Sequence, residues 1–249
     1  MIAGDAVDLT AYDAWLFDLD GVVTDTARVH AAAWKAAFDP ILEAEGARTG
    51  ARQDPFDPGD DYLRFVDGRP RSDGVRGFLA SRGLELDEGA PGDPPGTRTV
   101  CGIADGKNEL VRQVLATDGV AVYPGTLALL ELLRSHEVRT AVVSASENTG
   151  AVLTAAGIGD LFDARVDGLV ARELRLPGKP APDTYLEAAR LLGVTPSRAV
   201  VIEDALAGVE AGKSGGFGLV VGVDRVGQAP SLAEHGADVV VGDLADLLP

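Results

Sequence analysis

The stretch Ala14-Trp-Leu-Phe17-Asp18-Leu-Asp20-Gly21 joins a short apolar run to two acidic residues and a glycine. Its apolar part is nearly continuous, which is typical of a strand buried on both faces of a parallel sheet. Four later runs share this character: Arg139–Val143, Ala199–Ile202, Gly218–Val223 and Ala237–Val241. We therefore predict a sheet that contains at least these five short, buried strands.

Helical patterns separate most of the predicted strands. They cover Thr126–Leu133, Asn148–Ala156, Asp183–Leu192 and Asp204–Lys213. This alternation predicts an α/β fold with a parallel sheet and right-handed crossovers. Ligands of such sheets gather beyond the carboxyl ends of the strands, so that edge is where functional residues are expected.

The chain between residues 26 and 122 follows a different pattern. Helices are predicted over Ala27–Phe38, Gly74–Arg82 and Lys107–Thr117, and no buried strand is predicted. Residues 46–60 and 87–98 are rich in glycine, proline and charged residues, which indicates loops. The simplest interpretation is a helical domain, residues 26–122, inserted into an α/β core domain made of residues 1–25 and 123–249.

Composition and charge exclude several classes of protein. The chain has 22 Lys and Arg against 39 Asp and Glu, and the net charge of −17 argues against nucleic-acid and anionic-membrane partners. No run of about 18 apolar residues predicts a membrane span. The start, Met1-Ile-Ala-Gly-Asp5, lacks the pattern of a signal peptide, and the lone Cys101 permits no intrachain disulfide. We expect a monomeric cytoplasmic protein.

Asp18 and Asp20 follow the first predicted strand directly, and their i, i+2 spacing points both carboxylates the same way. Two nearby acids repel each other unless a cation or a proton lies between them. Mg²⁺ commonly takes one or two protein carboxylates together with water and substrate phosphate. The pair therefore indicates a metal site, with a solvated turn as the alternative.

Three later elements favour the metal site. Ser144, after the second run, offers a hydroxyl and backbone amides to a phosphoryl oxygen, or else caps a helix. Lys179, before a helix, would balance Asp18 and a phosphate, or else is a surface lysine. Glu203 and Asp204 end the third run, where a metal would balance them, or else Asp204 caps a helix. All lie at one predicted sheet edge, which makes coincidence a poor explanation.

The order Asp-x-Asp-Gly, Ser, Lys, Glu-Asp resembles the haloacid dehalogenase superfamily of phosphoryl-transfer enzymes along the whole chain. A helical cap after the first motif is similar to the β-phosphoglucomutase-like subgroup. The strings that carry this closer likeness are Asp25-Thr26-Ala-Arg-Val-His30-Ala-Ala-Ala-Trp34-Lys35, Gly68-Arg-Pro-Arg71-Ser-Asp73, Gly106-Lys107-Asn108 and Ser144-Ala145-Ser146-Glu147-Asn148. The resemblance implies a Rossmann-like parallel-sheet core with an inserted α-helical cap domain.

The resemblance also implies roles for the core residues. Asp18 would be the nucleophile and a ligand of Mg²⁺. Asp20 would bind the metal through its backbone carbonyl and use its side chain as general acid and base. Asp204, supported by Glu203, would complete the metal site. Ser144 and Lys179 would stabilise the transferring phosphoryl group, within a phosphate-binding segment that includes Ala145, Ser146 and Asn148.

In the cap, the resemblance implies that Arg71 and Lys107 come over the substrate when the cap closes and excludes water. Thr26 and His30 would orient Asp20. Two positions depart from the subgroup: Glu147, where the mutases often carry a lysine near phosphate, and Gly106, where a basic residue is frequent. The Pro/Gly-rich stretches also lengthen the cap.

The implied function is Mg²⁺-dependent isomerisation of β-glucose 1-phosphate to glucose 6-phosphate. The first alternative is a phosphatase that hydrolyses a small sugar phosphate. A noncatalytic module that binds phosphorylated metabolites is disfavoured, because every core catalytic position is filled. A dehalogenase is disfavoured because Asp20 and the Glu203-Asp204 pair suit metal-dependent phosphoryl transfer. The partner expected in each favoured case is a small phosphorylated substrate.

Overall fold

The computed structural model describes residues 8–249, so the stretch Met1–Asp5, where no signal peptide is predicted, lies outside the described residues. The chain separates into two compact units. One unit contains the chain up to Asp25 together with Val120–Pro249, and the other contains Thr26–Gly119. The first unit holds the sheet, and the second is built from helices and loops.

All strands of the sheet run parallel, in the order β3-β2-β1-β4-β5-β6. The strands are β1 Ala14–Asp18, β2 Arg139–Val143, β3 Ala164–Val166, β4 Ala199–Glu203, β5 Leu219–Val223 and β6 Val239–Val241. In register, Asp18 lies beside Val143 and Phe17 lies beside Ile202. The residues that follow β1, β2 and β4 therefore meet at one edge, and the predicted α/β fold is confirmed.

The helices cover both units. In chain order they are α1 Ala27–Thr49, α2 Arg71–Ser81, α3 Val100–Asp118, α4 Pro124–Ser135, α5 Thr149–Ala156, α6 Gly168–Leu174, α7 Asp183–Leu192, α8 Leu206–Ser214 and α9 Ala229–Glu234. A π-helical turn spans Tyr62–Val66. None of the helices in the described range is both long and apolar enough to cross a membrane.

The core of the sheet unit explains the apolar run that opens the sequence. Every residue of β1 is buried, and Trp15, Leu16 and Phe17 have no exposed surface. Helix α7 packs against β1, β2 and β3. Burying a large apolar side chain stabilises a fold by about 1.5–3 kcal/mol, so the buried side chains of β1 hold this strand in the sheet. Their burial offsets the cost of placing charged residues at its carboxyl end.

The helical unit has a core of its own, built where α1 packs against α3 and α2 packs against α3. Aromatic rings occupy its centre. Phe38 lies 4.2 Å from Phe78 and 5.1 Å from Trp34 between ring centroids, and Phe56 packs 5.1 Å from Phe78. Such ring pairs add about 0.5–1.5 kcal/mol each to the area they bury.

Several elements differ from the sequence prediction. Strand β3 and helices α6 and α9 were not predicted, because each is short. Helix α1 continues beyond Phe38, through Pro40, to Thr49, where Gly50 ends it in the left-handed conformation. The continuation buries Ile41 and Leu42, and this packing outweighs the cost of a proline inside the helix. Helix α3 begins at Val100, before the predicted start at Lys107, because Thr99 caps it.

Candidate active site

Asp18 is the last residue of β1, and Asp20 lies in the tight turn that follows. Asp18 is buried and Asp20 is half-buried. Gly21 has a φ of +87°, which favours glycine, and its amide donates to the Thr24 carbonyl at 2.8 Å. A Cβ added at Gly21 would overlap the carboxylate of Asp204. The glycine therefore allows the turn to approach the end of β4 closely.

Lys179 connects the ends of β1 and β4. Its side chain is 2% exposed, and its ammonium donates hydrogen bonds to Asp18 Oδ1 and Glu203 Oε1. An ammonium has three protons and no acceptor, so it can donate to both carboxylates, which would otherwise repel each other. Lys179 thereby joins Asp18, which lies 161 positions before it in the chain, and Glu203, which lies 24 positions after it.

Glu203 is fully buried and both of its oxygens accept hydrogen bonds from the protein. Oε1 accepts from Lys179 and from the Tyr185 hydroxyl, the latter at 2.9 Å. Oε2 accepts from the backbone amides of Asp204 and Ala205, each at 3.1 Å. Glu203 therefore fixes the turn that carries Asp204. Tyr185 was missed in the sequence, although a tyrosine on the buried face of a helix needs a partner for its hydroxyl.

Burial and charge shift the proton affinities of this group. Burial raises the pKa of Asp18 well above its usual value, although the Lys179 ammonium acts in the opposite direction. Burial alone would lower the pKa of Lys179, but the carboxylates of Asp18 and Glu203 outweigh it, and the pKa is raised. Burial and Glu203 raise the pKa of Tyr185. At neutral pH Lys179 is therefore charged, and further positive charge would favour ionised Asp18.

The donor set here fits a hard divalent cation. Asp18, Glu203 and Asp204 are buried, and one carboxylate oxygen from each lies within 4.8 Å of the others. Carboxylate oxygens are the protein ligands that Mg²⁺ commonly takes. Because both Glu203 oxygens already accept protein hydrogen bonds, this residue is better suited to support such a site than to bind the cation directly.

The segment Ser144–Asn148 follows β2 and is folded by its own hydroxyl groups. The Ser144 hydroxyl accepts from the Ser146 amide, and the Ser146 hydroxyl accepts from the Asn148 amide, each at 3.1 Å. Ser144 is buried, whereas Ala145, Ser146 and Asn148 are half-buried. The Gly168 amide at the start of α6 donates to the Ser146 carbonyl at 3.0 Å. The register of β1 and β2 places this segment at the same sheet edge as Asp18.

Glu147 forms an ion pair with Arg172 of α6. Arg172 is 69% exposed, so the pair contributes only about 0–1 kcal/mol to stability. The negative charge of Glu147 is therefore paired with a positive charge from α6. This partner was not foreseen from the sequence, because α6 was not predicted.

The helical unit brings its own predicted residues together. Lys107 is buried within α3 and donates to His30 Nδ1 at 2.8 Å. Because an ammonium only donates, Nδ1 accepts and the neutral ring carries its proton on Nε2. Lys107 also lies 5.0 Å from the Trp34 ring centroid. Thr26 is buried and immediately precedes α1.

Arg71 was expected in a cap loop, but it is the first residue of α2. The helix starts there because Pro70 supplies extended backbone before it. Arg71 donates to Asn108 Oδ1 at 3.1 Å, and Asn108 is the neighbour of Lys107 in α3. Arg71 therefore contacts the residue that follows Lys107 in α3, while Lys107 itself contacts His30 and Trp34.

Known proteins are similar to this chain over most of its length. The β-phosphoglucomutase of Mycobacterium tuberculosis (strain CDC 1551 / Oshkosh) is 51% identical over 238 residues, which cover 94% of this chain and 91% of that protein. Validoxylamine A 7'-phosphate phosphatase of Streptomyces hygroscopicus subsp. limoneus is 31% identical over 241 residues, covering 95% and 96%. The crystal structure of β-phosphoglucomutase from Clostridium difficile superposes with a TM-score of 0.73 at 26% identity, covering 96% and 93%.

The relatives thus include phosphomutases and phosphatases, and both are enzymes. A family model described as haloacid dehalogenase-like hydrolase matches residues 12–216, which is most of the chain. The parallel sheet, the acidic turn after β1 and the match over these residues lead to one conclusion. The chain belongs to the haloacid dehalogenase-like hydrolase family.

Proposed function

We propose that the protein is a Mg²⁺-dependent phosphomutase that converts β-glucose 1-phosphate to glucose 6-phosphate through a bisphosphorylated intermediate. The observation that carries the proposal is the buried group Asp18, Lys179, Glu203 and Asp204 beside half-buried Asp20. Such a group suits the transfer of a phosphoryl group to a carboxylate. The 51% identical relative from Mycobacterium tuberculosis supports the choice of a mutase.

In the proposed reaction Asp18 attacks the C1 phosphorus of the bisphosphorylated intermediate and forms an aspartyl phosphate, while the bond from phosphorus to the C1 oxygen breaks and glucose 6-phosphate leaves. Asp20 gives a proton to that oxygen and later takes one from the 6-hydroxyl of β-glucose 1-phosphate, which accepts the phosphoryl group and restores the bisphosphate. Lys179 and the Ser144 hydroxyl stabilise negative charge on the oxygens of the transferring group. Glu203 and Tyr185 hold Lys179 and the turn before Asp204 in place.

Asp18 and Asp204 would hold Mg²⁺ together with the Asp20 carbonyl, and Glu203 would support them through its hydrogen bonds to Lys179 and to the Asp204 amide. When bound, the ion neutralises charge on the carboxylates and on the phosphoryl group. Its positive charge would also counter the raised pKa of Asp18 and keep the nucleophile ionised.

Removing Mg²⁺ with excess chelator should abolish turnover and lower the melting temperature. Ligand binding at 100 times its dissociation constant stabilises the folded state by about 2.7 kcal/mol. Thermal denaturation with and without MgCl₂ measures this effect without an activity assay. Asp204→Asn should reduce the shift, whereas Asp238→Asn, a surface partner of Lys213, should leave it unchanged. Full activity in chelator would contradict the proposal.

A mutase must also bind the phosphate that is not being transferred. We propose that Arg71 binds this second phosphate and that Lys107 adds positive charge from α3. The planar guanidinium suits a phosphate better than an ammonium does. Because the chain carries a net charge of −17, a dianionic substrate needs such a local positive group.

Arg71→Ala should cut the conversion of β-glucose 1-phosphate about ten- to a hundredfold, the effect of losing a charge-assisted contact. Hydrolysis of a small aryl phosphate should fall much less, because that substrate has no second anchor. The matched control is Arg64→Ala, which removes a 66% exposed arginine of the same unit. An equal loss of both activities would show that Arg71 is structural.

The second candidate function is a phosphatase that acts on a small sugar phosphate. The 31% identical Streptomyces relative is a phosphatase, and Glu147, which pairs with Arg172, stands where mutases often carry a lysine near phosphate. A panel of sugar phosphates separates the two functions when phosphate release is assayed beside a coupled glucose 6-phosphate assay containing a trace of bisphosphate. The proposal predicts glucose 6-phosphate as the main product, and phosphate release alone would favour the phosphatase.

A further inference from the structure

Arg225 has contacts that the proposed reaction does not yet use. It follows β5, and its side chain is only 16% exposed. Nε donates to the Gly21 carbonyl at 2.8 Å, and Nη1 donates to the Gly242 carbonyl and to Asp243 Oδ2, each at 3.2 Å. The guanidinium carbon lies 3.7 Å from the centroid of the Tyr123 ring. Arg225 therefore joins three segments that are distant in sequence.

Through the Gly21 carbonyl, Arg225 contacts the turn that carries Asp20. The backbone of Gly21 is held at both of its polar groups, because its amide donates to Thr24 and its carbonyl accepts from Arg225. The space at Gly21 Cα is closed by Asp204. A shift of this peptide would therefore move Asp20, which precedes it, and would change the distance to Asp204.

The loop of Arg225 holds Asp204 as well. The side-chain amide of Gln228 donates to the Asp204 carbonyl at 3.0 Å. The loop is itself ordered by Asp224, whose Oδ1 accepts from the amides of Gly227 and Gln228 at 2.7 Å. One short segment, Asp224–Gln228, thus donates hydrogen bonds to both turns that carry candidate reacting or metal-binding carboxylates.

Tyr123 extends the same arrangement to the far end of the turn. Its hydroxyl donates to Asp25 Oδ1 at 3.2 Å, while its ring packs under the Arg225 guanidinium. Burial and the neighbouring Asp25 carboxylate raise the pKa of Tyr123 to about 12, so its hydroxyl keeps the proton that it donates. Arg225 therefore contacts the segment from Gly21 to Asp25 directly at Gly21, and through Tyr123 at Asp25.

We infer that Arg225 is a positioning residue for phosphoryl transfer, which acts through the Gly21 carbonyl on Asp20 and Asp204. The inference rests on the proposed function, since it assumes that these carboxylates serve the reaction. A flexible lysine would not reproduce the arrangement, because a single ammonium cannot both stack on Tyr123 and reach acceptors on two segments in a fixed plane. The role therefore depends on the guanidinium and not only on its charge.

The test compares Arg225→Met, which keeps an unbranched apolar stem but removes the donors, with Arg225→Lys, which keeps the charge. Turnover of an aryl phosphate and of β-glucose 1-phosphate is measured with saturating Mg²⁺, and circular dichroism checks the fold. We expect kcat to fall about 10- to 100-fold in Arg225→Met, a scale typical of misplaced reacting groups, with KM nearly unchanged. Arg225→Lys should give a smaller loss.

The control is Arg198→Met, which removes an ion-paired arginine from the opposite end of the strands, beside Asp13, and should keep wild-type kcat. Wild-type kcat in either folded Arg225 variant would overturn the inference, as would a rise in KM alone. Failure of both variants to fold would assign Arg225 a purely structural role and overturn it too. A wild type inert on both substrates would instead overturn the proposed function, and the inference with it.

Discussion

Asp18→Asn should lower the turnover of β-glucose 1-phosphate by at least about a thousandfold, because an amide cannot replace a carboxylate as the attacking group. The fold should persist. The asparagine side chain has nearly the shape of aspartate, and Lys179 retains Glu203 as its anionic partner. Steady-state kinetics in saturating Mg²⁺ give the turnover, and circular dichroism reports the fold.

The matched control for this variant lies at the other end of the same strand. Asp13 immediately precedes β1, is 44% exposed and pairs with Arg198. Asp13→Asn makes the same chemical change far from the acidic turn, and it should leave turnover at the wild-type level. If purified, metal-loaded Asp18→Asn protein turned over at close to the wild-type rate, Asp18 would not be the nucleophile.

Lys179→Met should have the second large effect, on both stability and turnover. It leaves the buried carboxylates of Asp18 and Glu203 without their shared cation, and breaking a buried ion pair in this way costs about 3–5 kcal/mol. Turnover should also fall by about a hundredfold or more, since a donor to the transferring group is lost. Added Mg²⁺ should restore part of the stability by replacing the missing charge.

Urea denaturation can follow this change from within the sheet unit. The chain has two tryptophans, and Trp15 lies in β1 while Trp34 lies in α1. In a Trp34→Phe background, the fluorescence of Trp15 reports the unit that contains Lys179. Lys213→Met, a 58% exposed lysine paired with Asp238, is the control and should shift the midpoint little. Equal midpoints for the two variants would refute the role of the buried ammonium.

The sheet was largely predictable because its strands are buried on both faces and therefore read as continuous apolar runs. Arg139–Val143 was predicted with the bounds that the structure shows. Strand β3 was missed because it has three residues, one of them Arg165, and pairs only along one side. The acidic turn was visible because Asp18 and Asp20 directly follow such a run, at the edge where ligands of parallel sheets bind.

The contacts around the site were harder to predict, because they join residues far apart along the chain. Arg225 and Gly21 are separated by 204 positions, and no local pattern connects them. Tyr185 shows the same difficulty over a shorter distance, since the buried face of α7 gives no indication of which acceptor its hydroxyl meets. Local patterns predict helices and strands, whereas these hydrogen bonds depend on how the elements pack.

In the helical unit, sequence patterns gave the helices but not their limits or the burial of their charges. Proline at position 40 would ordinarily end α1, and the loop-like composition before Val100 hid the start of α3. Lys107 is buried because it lies against the Trp34 ring and bonds His30, a pairing between separate helices. Such burial depends on helix packing, which propensity does not describe.

In the proposed reaction Asp18 passes the phosphoryl group back to a sugar and not to water. Turnover of β-glucose 1-phosphate in H₂¹⁸O, with Mg²⁺ and a trace of glucose 1,6-bisphosphate, tests it directly when the products are analysed by mass spectrometry. We expect glucose 6-phosphate whose phosphoryl group carries no ¹⁸O as the main product, because water never attacks phosphorus during the transfer. Inorganic phosphate carrying one ¹⁸O as the main product would contradict transfer from Asp18 to a sugar, since that label enters only when water takes the phosphoryl group.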